Sequence, residues 1–97
     1  MNYFYVLNHY EYESGFPVSS GHVIKTDSEE DAIKICEKYG IGCPFNRKIR
    51  IRNARLLNPE KYQTDFELIK RRKKGIGGKI FYEKNGKLKI EQNELRT

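Results

Sequence analysis

Hydrophobic and polar positions divide the first part of the chain into two strand-like segments. Residues 3–12 are rich in aromatic and β-branched side chains and contain no glycine or proline, which predicts a strand. Apolar residues fall on both of its faces, so we expect it in the centre of a sheet. A loop with two glycines and a proline is predicted over residues 13–21. A short second strand follows over residues 22–26 and is expected to pair antiparallel with the first.

The clearest helix signal covers residues 29–39. Ser28 is a typical N-cap, acidic residues fill the first turn, and Gly40 is placed to end the helix. Apolar residues recur at the i, i+3, i+4 and i+7 spacing of one helical stripe, namely Ala32, Ile35, Cys36 and Tyr39. This helix is therefore expected to pack on the sheet, with Cys36 as a small apolar residue in its buried face.

A basic strand is predicted over residues 47–57, where isoleucines alternate with cations. Because side chains alternate between the two faces of a strand, Ile49 and Ile51 would lie on one face. The other face would carry Lys48, Arg50 and Arg52.

A second helix is predicted after this strand, beginning at Pro59, which suits a first helical position, and running towards Lys74. Its well-spaced apolar residues are Tyr62, Phe66 and Ile69. This segment carries the weakest pattern in the chain, so partial strand character is left open.

The last third of the chain reads as a hairpin. Asn85-Gly86 is a strong two-residue turn signal between strands over residues 79–83 and 87–91. The order β-β-α-β-(α)-β-β predicts an α+β fold in which a mainly antiparallel sheet of about five strands is packed by one or two helices. The helices are expected to share one face and leave the basic strand on the other. We expect a single domain over residues 1–97 with a frayed tail at 92–97.

Charge changes sign at the middle of the sequence. Residues 1–46 contain three lysines, no arginine and seven acids, whereas residues 47–97 contain sixteen basic and six acidic residues. The net charge of the whole chain is +6. Clustered cations attract phosphate groups or acidic surfaces, so the asymmetry bears on partners and not on chemistry.

Two elements carry most of the positive charge. The candidate binding residues are Lys48, Arg50, Arg52 and Arg55 on the strand and Lys70, Arg71, Arg72, Lys73, Lys74 and Lys79 around the next turn. They favour a small non-enzymatic module that binds nucleic acid, DNA or RNA, mainly through phosphate contacts. The alternative is a protein-interaction module, such as a phage-type inhibitor or regulator that docks on an enzyme through an acidic surface.

A glycine-rich turn follows the basic run and is a candidate phosphate loop, formed by Gly75, Gly77 and Gly78. With Arg72, the glycines at 75 and 77 resemble the coenzyme A-binding segment of the GNAT acetyltransferases, which implies an acetyl-transfer activity. The same turn is similar to the Gly-x-x-Gly loop of KH-type RNA-binding domains. Both families place a helix after the loop, whereas a hairpin is predicted here, so the sequence favours a plain turn.

The remaining candidate chemistry is sparse. His9 and His22 would face each other if the first two strands form a hairpin, which leaves a nuclease as a third hypothesis. Cys36 and Cys43 lack the spacing of a zinc site, and a disulfide between them is disfavoured in a reducing compartment. We therefore expect no metal and no cofactor. Without a membrane-spanning or signal segment, a cytoplasmic protein of bacterial or phage origin is expected, its oligomeric state open.

Overall fold

Secondary structure in the computed structural model, which describes residues 1–42 and 48–91, alternates between strands and helices. In chain order the elements are β1 (Asn2–Glu11), β2 (Pro17–Thr26), α1 (Glu29–Tyr39), β3 (Lys48–Leu57), α2 (Gln63–Lys73), β4 (Ile80–Lys84) and β5 (Lys87–Glu91). The expectations about Cys43, about Arg47 as the first strand residue and about a frayed tail at 92–97 lie outside the described residues.

The five strands form one sheet in the spatial order β3-β1-β2-β4-β5. Three neighbouring pairs are antiparallel, but β2 and β4 run parallel. The predicted α+β class is confirmed, with five strands and two helices, and the sheet is mixed rather than purely antiparallel. The parallel pair arises because the chain leaves β3 at one edge, crosses the sheet through α2 and enters β4 on the far side of β2.

The second strand is longer than the sequence pattern predicts. It begins at Pro17, so the prediction of a loop up to residue 21 is wrong. Only the tip turns, where the Tyr12 N–H donates to the Phe16 carbonyl at 3.1 Å. Gly21 belongs to the strand because the Tyr5 ring lies over it, so close that a β-carbon at Gly21 would stand 1.8 Å from the Tyr5 hydroxyl. This glycine therefore marks a close approach and not a loop.

Helix α1 follows the predicted bounds and caps. The Ser28 hydroxyl accepts a hydrogen bond from the Asp31 N–H at 3.1 Å, and Gly40 ends the helix in the left-handed conformation with φ 66°. Its apolar stripe packs on one side of the sheet, here called the α1 face. The buried residues of this core are Phe4, Val6, Ile24, Ala32, Ile35, Cys36 and Ile41. Burial raises the pKa of the Cys36 thiol to about 11, which makes this cysteine an inert core residue.

Helix α2 packs on the opposite side of the sheet, here called the α2 face. Its core consists of Val23, Leu57, Ile69 and Ile80, with Tyr3, Tyr5 and Leu68 packed against them. The prediction that both helices share one face is therefore wrong. The central strand β1 explains the arrangement, because successive side chains point to opposite faces of the sheet. Phe4 and Val6 pack in the core under α1, and Tyr3 and Tyr5 pack against the core under α2.

The second helix begins at Gln63 and not at Pro59. Asn58 turns the chain instead, since its carbonyl accepts from the Tyr62 N–H at 2.9 Å and its side chain accepts from the Lys61 N–H at 3.1 Å. Pro59 lies inside that turn. Of the three apolar residues expected to face inward only Ile69 is buried, whereas Tyr62 and Phe66 are exposed.

A buried carboxylate replaces the missing apolar anchors at the start of α2. Asp65 accepts two hydrogen bonds from the Arg55 guanidinium, at 3.0 and 3.1 Å, and a third from the Asn58 N–H at 2.9 Å. Its side chain is only 3% exposed. These bonds, with those from Arg55 first, hold the pKa of Asp65 below its usual range although burial opposes this.

The closing hairpin forms as predicted. Asn85 and Gly86 both have positive φ, 54° and 73°, as a two-residue turn between right-twisted strands requires. The strands on either side pair Lys84 with Lys87 and Tyr82 with Lys89. In the described part of the chain neither helix is long and apolar enough to cross a membrane.

We expect Asp65→Asn to destabilise the protein by about 1–3 kcal/mol, because it removes a charge-assisted pair and keeps the shape. Urea unfolding measures this, with Asp27→Asn, the same change at an exposed carboxylate, as the control. The loss should be full above about pH 4, the ordinary pKa of a carboxyl in the unfolded chain, and should shrink as the pH falls further towards the lowered pKa of Asp65, because protonation removes the charge on which the pair depends. Equal effects of both variants at neutral pH would contradict this role of Asp65.

We expect acid to destabilise the fold through His22. Burial, and secondarily the charge of Arg72, lowers the pKa of His22, and its buried Nδ1 has no hydrogen-bond partner among the described residues. The unfolded chain therefore binds this proton first, so stability should fall as pH drops from about 7, by up to about 1.4 kcal/mol per unit. Urea unfolding should show a shallower pH dependence for His22→Gln than for the wild type, with His9→Gln as the matched control. Identical profiles for His22→Gln and the wild type would refute this.

Candidate nucleic-acid interface

The cations of β3 do not share one face. In the β1–β3 register Lys48 lies opposite Glu11 and Arg52 opposite Asn8, and residues paired in this way share a face. Glu11 and Asn8 point to opposite sides of β1, so Lys48 lies on the α2 face and Arg52 on the α1 face. The register shifts between His9 and Tyr10, where Arg50 is an extra residue. This β-bulge reverses the alternation, and the predicted cationic face of Lys48, Arg50 and Arg52 is wrong.

Arg52 is a structural residue. Its side chain is only 6% exposed, and its Nε donates to the Asn8 Oδ1 at 2.9 Å. A longer ion pair of 3.7 Å joins it to Glu37 of α1. Asn8 is itself fully buried, so the arginine satisfies a polar group in the core.

Two more β3 cations have partners within the chain. Arg55 holds Asp65, as described above, and Arg50 forms an ion pair of 3.1 Å with Glu11. Lys48 is exposed. Most of the charge of the predicted basic strand is therefore already balanced where the fold places it.

The cations at the end of α2 and in the turn that follows it lie towards the opposite edge of the sheet, near β4. Lys70, Arg71, Lys74 and Lys79 are exposed and Arg72 and Lys73 are half-buried. From β3 to β4 the sheet has three strand spacings, which amount to about 14 Å. The two predicted basic elements thus do not merge into one surface.

The glycine-rich turn closes the C-terminal end of α2. The Gly75 N–H donates to the Arg72 carbonyl at 3.0 Å and the Ile76 N–H to the Arg71 carbonyl at 2.8 Å. A strand, β4, follows at Ile80, so these amides point at a helix C-terminus, the negative end of the helix dipole. Gly78 allows close contact, because a β-carbon there would lie 2.1 Å from the Arg72 guanidinium.

A group of lysines that the sequence interpretation omitted lies beside Lys73. The β4–β5 register places Lys84, Lys87 and Lys89 on the same face as Ile80, which is buried under α2. Lys25, paired with Tyr3, shares this face. We call this group the lysine patch; its members are Lys25, Lys73, Lys84, Lys87 and Lys89. The two-residue turn at Asn85-Gly86 already implied this register, so the hairpin lysines could have been found from the sequence.

One carboxylate organises the inner part of the lysine patch. Glu91 lies 3.4 Å from the Lys73 ammonium and 4.0 Å from that of Lys25. Both ammonium groups also lie over the Tyr3 ring, at 5.4 and 5.6 Å from its centroid. Burial disfavours the charge of Lys73, but its contacts with Tyr3 and Glu91 outweigh this and raise its pKa. Glu91 is the only acid on the α2 face of β2, β4 and β5 within the described residues.

The two histidines do not face each other. In the β1–β2 register His9 pairs with Ser19 and His22 with Val6, so the rings lie on opposite faces of the sheet. The predicted juxtaposition fails because β2 begins five residues earlier than expected, which sets a different register. The histidine arrangement proposed for a nuclease is therefore not formed.

Metal-ligating side chains do not gather in the part of the chain that the structure covers: residues 1–42 and 48–91 contain no cluster of three His, Cys, Asp or Glu side chains that could hold an ion. No protein-family model, no curated protein and no solved structure matches the chain.

Proposed function

We propose that the protein binds nucleic acid through the phosphate backbone, with the lysine patch as the contact surface. The observation that carries this is the convergence of three chain segments, since β2, the end of α2 and the β4–β5 hairpin bring five lysines to one face with a single acid. The patch has a net charge of +4 when Glu91 is included. Such a concentration of positive charge attracts a polyanion.

The acidic half of the chain does not oppose this. The acids in the first turn of α1 lie on the other side of the sheet, where the helix dipole accounts for them. Arg50 and Arg55 are bound to carboxylates at the far edge. The hairpin lysines Lys84, Lys87 and Lys89 are exposed, whereas the arginines of β3 are held by carboxylates.

The side chains favour backbone contact over base reading. Lysine is a flexible point charge, which follows phosphates without the planar fork that an arginine presents to guanine. Tyr82 pairs with Lys89 at the centre of the patch and is half-buried, so its ring offers a surface on which an unpaired base can stack. Binding with little sequence preference follows from this composition.

We expect the triple variant Lys84→Gln, Lys87→Gln, Lys89→Gln to weaken nucleic-acid binding and its salt dependence. Each lost phosphate contact should lower the slope of log K against log salt concentration by about 0.9 for duplex DNA and about 0.7 for a single strand. Anisotropy titrations between about 50 and 200 mM salt measure this slope.

The matched control removes three lysine charges elsewhere, by Lys34→Gln, Lys38→Gln and Lys61→Gln. It has the same net charge as the patch variant, so a general loss of attraction would affect both equally. The proposal fails if the wild type binds neither DNA nor RNA at low salt, or if both triple variants lose the same slope.

A protein-interaction module is the second candidate, favoured by a different part of the molecule. No strand pairs with the outer edge of β3 among the described residues, and Ile51 on that strand is 48% exposed. A strand edge with unpaired backbone groups and apolar side chains is a surface on which another protein chain can pair as an additional strand. A negative result in the nucleic-acid titrations would favour this candidate.

A further inference from the structure

The β-bulge in β3 gathers polar side chains at one end of the sheet. Arg50 is the extra residue of the bulge, so its side chain does not follow the regular alternation of side chains between the two faces of β3. Its guanidinium reaches the α2 face and meets Glu11 at 3.1 Å. Lys48, opposite Glu11, lies on the same face. Two cations and one acid therefore meet where β3 begins.

His9 of β1 and Ser19 of β2 lie beside Arg50. His9 and Ser19 are paired in the β1–β2 register, and the Ser19 hydroxyl lies 2.7 Å from the His9 Nδ1. That bond occupies Nδ1 and fixes the ring, so Nε2 is the nitrogen that can serve a ligand. Both side chains are hydrogen-bonding groups that accept or donate according to the partner.

A cavity of about 340 Å³ connects the two groups. His9, Ser19 and Arg50 line it, and Pro17 and Ile51 supply apolar surface. This volume lies within the range of small-molecule sites. The site is open to solvent, since Ser19 and Ile51 are exposed. Helix α2 does not cover it, because the helix packs at the other end of the sheet, on Leu57 and Ile80.

We infer that this cavity binds a phosphate monoester or free phosphate. Arginine presents paired N–H donors that match two phosphate oxygens. The hydrogen-bonded His9–Ser19 pair has one further donor for a third oxygen, either the imidazole Nε2–H or the serine hydroxyl, because the bond between the two side chains uses the other proton. In the absence of ligand Arg50 is paired with Glu11, and this ion pair must break when phosphate binds. A phosphate with two charges competes better than one carboxylate, and Lys48 favours the exchange. The inference does not depend on the lysine patch, which lies at the opposite edge of the same face.

Titration of the full chain with inorganic phosphate, followed by side-chain NMR signals of Arg50 and His9, tests the site. We expect saturable shifts of both residues in the wild type and about tenfold weaker binding for Arg50→Gln. Glu11→Gln should bind phosphate more tightly, because it removes the competing carboxylate. The controls Arg71→Gln and Glu60→Gln make the same charge changes at exposed positions away from the cavity and should leave the affinity within about twofold.

Two further ligands distinguish the source of the phosphate. A 5′-phosphorylated trinucleotide that binds more tightly than inorganic phosphate, while its 5′-hydroxyl form does not bind the cavity, identifies a nucleic-acid end. Equal binding of inorganic phosphate and the phosphorylated trinucleotide identifies free phosphate or a simple ester. The inference is overturned if neither ligand gives saturable shifts, or if the control variants change the affinity as much as Arg50→Gln and Glu11→Gln do.

The lysine patch triple variant separates this result from the proposed function. It should retain phosphate binding in the cavity while losing binding to long nucleic acid. Loss of both in that variant would place phosphate binding in the patch and contradict a separate site.

Discussion

The buried carboxylate of Asp65 is the interaction on which the arrangement of the lysine patch depends. It joins the end of β3, through Arg55, to the turn at Asn58 and to the first turn of α2. The helix has only Ile69 as a fully inserted apolar residue, with Leu68 partly buried, so hydrophobic burial alone fixes its start weakly. Three hydrogen bonds to one carboxylate supply the missing constraint. From that point α2 crosses β1 and β2 and delivers the chain to β4, next to Lys25.

The parallel pairing of β2 with β4 has a functional consequence. A hairpin at the end of the chain could have packed anywhere on the sheet, but the crossover places its lysine-bearing face beside Lys73 and Lys25. Glu91 then joins the three elements through its contacts with both lysines and with the Tyr3 hydroxyl. Glu91 contacts two of the five ammonium groups, those of Lys25 and Lys73, so the patch keeps a net positive charge.

The elements that local rules determine could be predicted from the sequence. Helix α1 has a capping serine, a terminal glycine and one apolar stripe, and it formed within its predicted bounds. The last hairpin formed at the predicted Asn85-Gly86 turn, where both residues adopt the positive φ that such a turn requires, with its first strand one residue later than predicted. The placement of α2 could not be predicted, because a polar residue, Asp65, occupies the buried position and the aromatic residues beside it are exposed. The long β2 was missed because Pro17 and Gly21 are typical of loops but also occur at a strand end and at a close contact.

The candidate site was harder to predict than the fold, for a physical reason. Alternation along β3 predicted a face of cations, but one extra residue opposite β1 divides that face, and no sequence pattern marks a bulge in this strand. Charge counts also do not show which cations find carboxylates: Arg50, Arg52 and Arg55 all do. The surviving surface comes from Lys25 and the hairpin lysines, which are distant in sequence and converge only through the crossover.

Residue-resolved NMR with a short single-stranded oligonucleotide tests the central claim most directly. The account predicts that the backbone and side-chain signals of Lys25, Lys84, Lys87 and Lys89 shift on titration, together with the ring signals of Tyr82. Shifts confined to α1 or to the outer edge of β3, or no shifts at low salt, would contradict it.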